Sequence, residues 1–148
     1  KLKDSLIVRT SWLYSNYENN FLNKILNKIK LNKPFFVVDD EIGSPTYAKD
    51  LARVILSILE KITNEEIEVF NFSSSNHCSR YEFATRICKI INSDLKILPT
   101  KSNNAKVERP KFSALNSSKI SDQFDIFTKD WTISLRECLN HNYNAYEN

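Results

Sequence analysis

Three short segments of this chain carry side chains that could bind a ligand, and the first is residues 9–14, which read RTSWLY after an apolar run. The hydroxyls of Thr10 and Ser11 could hydrogen bond to a polar ligand, and the indole of Trp12 could stack on a sugar or close a pocket from water. The alternative is that Trp12 and Tyr14 only pack in the interior. The pattern alone leaves these two interpretations balanced.

The second segment is residues 39–46, which read DDEIGSPT. Its three acids, Asp39, Asp40 and Glu41, could bind a metal ion or act as an acid and a base. We expect instead a solvated loop whose negative charge lies near a helix amino terminus. Gly43 is the only glycine of the chain, and we interpret it as supplying a backbone conformation that other residues resist.

The third segment contains Arg109 followed by Pro110, in a stretch without hydrophobic periodicity. A guanidinium can donate two parallel hydrogen bonds to a phosphate, which makes Arg109 a candidate for binding an anionic substrate. A solvated surface arginine is the alternative. His77 and Cys78 are interpreted as part of a loop, because no second ligand pair at a recognised spacing accompanies them, and no metal site is predicted.

All three segments belong to a predicted pattern of alternating strands and helices, in which strand ends are the usual place for ligand-binding groups. Apolar or alternating runs predict strands at residues 6–8, 35–38, 68–72 and 95–98. Helices are predicted from Asn19 or Asn20, after Thr46, after the Ser79–Glu82 capping box, around residues 117–124 and from Asp130. No repeat or low-complexity linker divides the chain, so we predict one domain.

The composition is that of a globular protein, with 148 residues, 41% hydrophobic and 26% charged. A net charge of +3 with scattered lysines argues against a nucleic-acid or membrane surface. No apolar run reaches the roughly 20 residues of a membrane span. Three cysteines without paired spacing favour a reducing cytoplasm. A single glycine cannot form the G-x-G-x-x-G turn of a dinucleotide-binding unit.

The three segments, in this order, resemble the dTDP-4-dehydrorhamnose reductase family within the extended short-chain dehydrogenase/reductases. The similarity includes VRTSWLY at 8–14, NNF at 19–21 and VDDEIGSPTYAKDLA at 38–52. It continues with YEFA at 81–84, RP at 109–110 with Ser113 and Leu115, and DW at 130–131 leading to LRECL at 135–139. The similarity therefore spans nearly the whole chain.

The resemblance implies an α/β fold: the carboxyl-terminal part of a Rossmann-type extended short-chain dehydrogenase/reductase, with the last sheet strands and a small mixed α/β substrate-binding domain. Residues 1–148 would form this substrate-binding portion, and the amino-terminal NAD(P)-binding half, with its glycine turn and Tyr-x-x-x-Lys pair, would be absent. Complete enzymes of the family use NADPH or NADH to reduce the 4-keto group of dTDP-6-deoxy-L-lyxo-4-hexulose to dTDP-L-rhamnose. We therefore assign no catalytic residue here, and expect this chain to bind no cofactor and to lack reductase activity by itself.

The resemblance also implies roles for the residues around the first two segments. Trp12 would contact the sugar of the substrate, and Thr10 and Ser11 would border the nicotinamide end of the cofactor. Gly43 and its neighbours would shape the wall of the pocket.

The diphosphate of the substrate would be held by two further residues. Asn20, with Asn19 as second choice, would meet it at a helix start, where free backbone amides favour anions. Arg109 would clamp it. The chain departs from the family's pattern at Ser15, where glycine is frequent, and at Glu41, where glutamine is commoner. A carboxylate facing the diphosphate would repel it.

Two alternatives stay open beside the reductase. One is another nucleotide-sugar reductase or epimerase of the same superfamily. The other is a non-catalytic regulatory member, because the family includes a regulatory subunit of methionine adenosyltransferase. The expected partner is a dTDP-sugar, without nucleic acid, membrane or metal, in the cytoplasm, and a homodimer is left open.

Overall fold

The computed structural model describes residues 5–17, 19–59, 61–62, 67–102 and 109–143. Within these ranges the chain alternates short strands with five helices. The strands are β1 (Leu6–Arg9), β2 (Leu13–Tyr14), β3 (Phe35–Val38), β4 (Ile42–Gly43), β5 (Thr46–Tyr47), β6 (Glu68–Asn71), β7 (Cys78–Ser79) and β8 (Ile97–Thr100). The helices are α1 (Phe21–Lys30), α2 (Ala48–Leu59), α3 (Arg80–Ile90), α4 (Ser118–Phe124) and α5 (Trp131–Tyr143).

The described strands pair two by two, mostly in parallel. β1 lies beside β6, β2 beside β5 and β3 beside β8, all parallel, whereas β4 and β7 are antiparallel. Parallel neighbours need long crossover connections, which here contain the helices. The predicted α/β architecture is therefore confirmed.

The predicted strands at residues 6–8, 35–38 and 68–72 are confirmed to within one residue, but two other predictions are wrong. β8 starts two residues later than predicted and contains Pro99, which lies opposite Val37 of β3. Proline is tolerated there because β8 has β3 as its one described neighbour, and an edge strand can lack one donor. Cys78, predicted in a loop, lies in β7 opposite Gly43.

Two hydrophobic cores hold the elements together. The first packs α1, α3 and α5 against β2 and β5, through buried residues that include Leu22, Ile25, Phe83, Ile87, Leu135 and Leu139. The second joins α2, β6 and α4 through Val54, Ile58, Phe70, Ile120 and Phe124. Ile55 and Leu59 of α2, although apolar, are exposed.

Local capping fixes where α1 and α3 begin. Asn20 is the N-cap of α1, as the sequence predicts, and its side chain accepts a hydrogen bond from the backbone N–H of Asn23. At α3 the predicted capping box is confirmed: Ser79 Oγ accepts from the N–H of Glu82, and Glu82 Oε2 accepts from the N–H of Ser79 at 2.6 Å. α3 therefore starts directly after β7, which pairs with Gly43.

The structure also bears on two predictions from the composition, which concern disulfide bonds and membrane spans. Cys78, Cys88 and Cys138 are all buried free thiols, so they contribute to packing and not to a disulfide framework. None of the described helices is both long and apolar enough to span a membrane.

Candidate functional site

The indole of Trp12 occupies the space that a side chain at Gly43 would need. Trp12 lies between β1 and β2 with a φ of 45°, a left-handed conformation that is uncommon outside glycine. A Cβ atom built on Gly43 would lie 2.6 Å from Nε1 of Trp12. Gly43 therefore serves as the wall against which the indole packs.

This geometry corrects the interpretation of Gly43. No described glycine has a positive φ, so its backbone is one that other residues adopt readily. Glycine is required at position 43 because of the space taken by Trp12, since any Cβ there would overlap the ring. The expected role of Gly43 in shaping the pocket wall stays a prediction, and this contact supports it.

Arg80 covers the Trp12 ring and was not among the residues predicted from sequence. Its guanidinium carbon lies 4.2 Å from the centre of the Trp12 ring and 5.3 Å from that of Phe21. Its Nε donates a 3.0 Å hydrogen bond to Oε2 of Glu41. Arg80, Trp12 and Phe21 also border a small cavity of about 110 Å³. The pocket wall thus combines an aromatic ring with a cation.

The three acids of residues 39–41 do not form the solvated loop predicted above. Glu41 is buried and its carboxylate bonds to Arg80. Asp39 accepts a 2.6 Å hydrogen bond from Ser79 Oγ. Each acid is thus bound to a partner contributed by a distant part of the chain. The expected repulsion between Glu41 and a diphosphate stays a prediction, and the ion pair with Arg80 weakens the case for it.

Asp40 is held by residues that flank the third predicted segment. It accepts a 2.6 Å hydrogen bond from Lys111 Nζ and a 2.9 Å bond from the N–H of Ser102. The hydrogen bond from Lys111 is the main reason why the pKa of Asp40 lies below its usual value. This pair connects the end of β3 with the chain next to Arg109.

Arg109 also contacts the buried carboxylate of Glu41. Its Nη1 lies 3.9 Å from Oε2 of Glu41, and its side chain is 59% exposed. Lys111 and Ser113 fix its segment, because the N–H of Ile42 bonds to the Lys111 carbonyl and the N–H of Ser113 bonds to the Ile42 carbonyl. The structure therefore brings Trp12, Gly43 and Arg109 together around Glu41 and Arg80.

Thr10 and Ser11 lie at the carboxyl end of β1, beside the same segment. Ser11 Oγ donates to the Ser44 carbonyl at 2.9 Å, and Ser44 Oγ donates to the Asn76 carbonyl at 2.9 Å. Thr10 Oγ1 is buried and has no hydrogen-bond partner among the described residues. Ser44 and Asn76 also border a hydroxyl-rich cavity of about 380 Å³ with the serines of residues 73–75 and 117–118.

Asn19 and Asn20 line a different groove. The Nδ2 of Asn20 donates to the carbonyls of Ser15 and Tyr17, at 2.9 and 2.6 Å, while its Oδ1 caps α1. Both amide hydrogens are thus used within the chain. The groove that the two asparagines border, about 780 Å³, shares no lining residue with the Trp12 cavity.

The ionisable groups next to this cluster are buried packing groups. Burial raises the pKa of Tyr14 far above its usual value, and its hydroxyl has no hydrogen-bond partner. Burial also raises the pKa of Tyr47 to about 12. Among the described residues, no group of three or more His, Cys, Asp or Glu side chains is arranged to hold a metal ion. The arrangement is suited to binding, through stacking and cationic contacts.

Comparison with known proteins connects this geometry with nucleotide-sugar enzymes. The chain is 36% identical to the spore coat polysaccharide biosynthesis protein SpsK of Bacillus subtilis, over 97% of this chain and 50% of that protein. It is 33% identical to a dTDP-4-dehydrorhamnose reductase of Aggregatibacter actinomycetemcomitans, over 89% of this chain and 49% of that protein. The chain thus spans about half the length of these curated relatives.

Solved structures of nucleotide-sugar enzymes also match this chain over most of its length. A dTDP-4-dehydrorhamnose reductase from Bacillus anthracis in complex with NADP superposes with a TM-score of 0.85 at 30% identity, over 92% of this chain and 48% of that one. A UDP-glucuronic acid 4-epimerase from Bacillus cereus matches with a TM-score of 0.76 at 18% identity, over 95% of this chain and 46% of that one, which shows a shared fold alone. The predicted extended short-chain dehydrogenase/reductase fold is confirmed.

A family model described as the RmlD substrate binding domain matches residues 1–144, nearly the entire length of the sequence. It includes the strand end with Trp12, the segment with Gly43 and the position of Arg109. The chain belongs to the RmlD substrate binding domain family.

Proposed function

We propose that this chain is the nucleotide-sugar-binding portion of a dTDP-4-dehydrorhamnose reductase. The observation that carries the proposal is the joint position of Trp12, Gly43 and Arg109 around one buried carboxylate, in a chain of this family. An aromatic ring near the exposed guanidinium of Arg109 suits a sugar linked to a diphosphate, because the ring packs on the apolar face of a sugar and the cation pairs with phosphate oxygens. The substrate class is thus a dTDP-sugar.

The proposed roles follow the geometry. Trp12 contacts the sugar, with Gly43 fixing the plane of its ring, and Arg109 binds the diphosphate. Asn20 borders a different groove and its own amide hydrogens are used by Ser15 and Tyr17, so its proposed contact with the diphosphate is made through the backbone at the start of α1 and depends on the family resemblance. Asn19, which is exposed next to it, is the second choice for that contact.

The cofactor, NADPH or NADH, would be held mainly by another part of the complete enzyme, where it supplies the hydride. The residues present fit only its nicotinamide end, because the buried hydroxyl of Thr10 has no partner within the described part of the chain and Ser11 lies beside it. They do not fit its phosphates, since the one glycine packs against Trp12. The relative from Bacillus anthracis was solved with NADP, which supports this assignment for a complete enzyme.

We further propose that a cofactor-binding half packs against α2 and β1. Leu56 and Leu59 are exposed one turn apart on α2, and such neighbouring apolar side chains usually mark an interface. Ile7 of β1 is also exposed, between Leu6 and Val8, which pack in the second core. The described β1–β6 sheet has only two strands, which are marginal without further neighbours. Three free thiols support a reducing, cytoplasmic location. A homodimer stays an open alternative.

The proposal is tested by calorimetric titration of the chain with dTDP and by NADPH oxidation in the presence of the 4-keto sugar nucleotide. We expect the 148-residue chain to bind dTDP without turning over NADPH, whereas a longer protein that contains this chain and a cofactor-binding half oxidises NADPH. A chain that binds no dTDP would overturn the proposal. dTDP binding without NADPH oxidation by the longer protein would favour the non-catalytic alternative.

The epimerase alternative has less support. The 4-epimerase structures are 18–20% identical to this chain and share its fold, while reductases reach 30–33%. The two enzymes differ in what happens to the cofactor, because a reductase consumes NADPH stoichiometrically and an epimerase returns its cofactor unchanged. Measuring NADPH consumed per sugar nucleotide converted separates them.

A further inference from the structure

Arg80 is held on three sides by residues of the candidate site. Its guanidinium lies over the Trp12 ring at 4.2 Å and faces Phe21 at 5.3 Å. Its Nε bonds to Glu41 at 3.0 Å, and its side chain remains 21% exposed. Stacking on two rings orients the plane of the guanidinium, so its donors have fixed directions.

The charge of Glu41 explains why an arginine lies here. The Glu41 side chain is 7% exposed, and a carboxylate removed from water is stable only with close cationic or hydrogen-bonding partners. It has two, because Arg109 Nη1 lies 3.9 Å from the same oxygen that Arg80 contacts. One carboxylate is therefore shared by two guanidinium groups.

The hydrogen-bonding capacity of Arg80 is only partly used. A guanidinium has one N–H on Nε and four on its two Nη atoms. Among the described residues, Glu41 is the one acceptor hydrogen bonded to Arg80, and it takes the Nε hydrogen. The Nη hydrogens are thus available on the partly exposed side of the group, next to the exposed Arg109.

We propose that Arg80 is a second diphosphate-binding residue, acting together with Arg109, and that Glu41 is a positioning residue that keeps the two guanidinium groups apart and oriented. This inference rests on the proposed function, because it assumes a nucleoside diphosphate as the ligand. Two guanidinium groups around one carboxylate form a site whose remaining N–H donors match an anion with several oxygen acceptors. Trp12 then contributes twice, by contacting the sugar and by holding Arg80 in place.

The test compares two variants that both lack the buried charge at position 41. Removing Arg80 alone would leave the buried Glu41 carboxylate with only the mostly exposed Arg109, 3.9 Å away, and would destabilise the chain. We therefore compare Glu41→Gln with Glu41→Gln/Arg80→Met, and titrate each with dTDP and with thymidine. Glu41→Gln/Arg136→Met is the matched control, because it removes one positive charge from an exposed arginine on α5.

We expect the dissociation constant for dTDP to rise about tenfold when Arg80 is removed from the Glu41→Gln background, while that for thymidine stays within about twofold. The control variant should bind both ligands like Glu41→Gln. Equal dTDP affinity with and without Arg80 would overturn the inference, and so would an equal loss for dTDP and thymidine. If the methionine variant lacks a native circular dichroism spectrum, Glu41→Gln/Arg80→Gln replaces it with the same criteria.

The wild-type titration distinguishes failure of the proposed function from failure of the role of Arg80. A wild-type chain that binds no dTDP overturns both the proposed function and the role of Arg80. A wild-type chain that binds dTDP with an affinity that depends on Arg109 but not on Arg80 overturns the inference alone.

Discussion

Trp12 and Gly43 are packed so closely that only a hydrogen atom fits on the α-carbon of Gly43 facing the indole. The contact fixes the indole ring of Trp12, and the guanidinium of Arg80 lies over that ring. The backbone of Trp12 itself has a left-handed conformation. Position 43 thereby controls the placement of Trp12, and through Trp12 that of the cation beside it.

Replacing Gly43 with alanine should destabilise the chain by about 1–3 kcal/mol, because the new methyl group overlaps the indole and forces a shift of packed groups. Urea unfolding followed by circular dichroism measures the change. In a Trp12→Ala background the same substitution should cost much less, since the overlapping ring is gone. Equal costs in the two backgrounds would contradict the contact.

Replacing Arg109 with alanine should weaken dTDP binding about tenfold, as expected for the loss of a charged hydrogen-bond donor. Stability should change by less than about 0.5 kcal/mol, because the Arg109 side chain is mostly exposed. Calorimetry and urea unfolding measure the two quantities. Arg136→Ala, on an exposed part of α5, is the control and should leave binding unchanged.

Replacing Ser134 with alanine should destabilise the chain by roughly 1–3 kcal/mol, because it removes a donor from a buried carboxylate. Ser134 Oγ donates a 2.6 Å hydrogen bond to Asp50 Oδ2, and both residues are buried where α5 meets α2. Urea unfolding measures the loss. Ser118→Ala, at an exposed serine of α4, should stay within about 0.5 kcal/mol of wild type.

The stabilising contribution of Asp40 should disappear in acid. In the folded chain the pKa of Asp40 lies below its usual 3.8, mainly because Lys111 donates a hydrogen bond to it. A lowered folded pKa means that the contribution is present above 3.8 and is lost as the pH falls through the lower folded value. Wild type should therefore be more stable than Asp40→Asn near pH 7 and lose that advantage near pH 2. An advantage that persists in acid would contradict the pairing.

The sequence predicted those parts of the fold that depend on interactions between residues close together in the chain. The Ser79–Glu82 capping box joins residues three positions apart, and the sequence predicted it. The start of α1 was predicted at Asn19 or Asn20, and the structure places the N-cap at Asn20. The shift of β8 was missed because its register is set by β3, which lies about sixty residues earlier in the chain. Proline normally ends a strand, and Pro99 is tolerated within β8 because β3 is its one neighbour among the described strands.

Some residues of the candidate site could be predicted from the sequence, and others could not. Trp12 and Arg109 were predictable because their residue types are suited to sugar and phosphate. Arg80 was missed because its role depends on Glu41, 39 positions away. A signal was present: an acid that becomes buried needs a cation, and the search for that cation leads to Arg80.

The burial of the three cysteines makes this chain convenient for chemical labelling. Alkylating reagents attack the thiolate, and burial raises the pKa of Cys138 to about 12 and keeps those of Cys78 and Cys88 above their usual value. A cysteine introduced at the exposed position Tyr17, in the loop between Trp12 and α1, would then take up a maleimide dye selectively in the folded chain. A fluorescent reporter of nucleotide binding can thus be built on this chain without first removing its native cysteines.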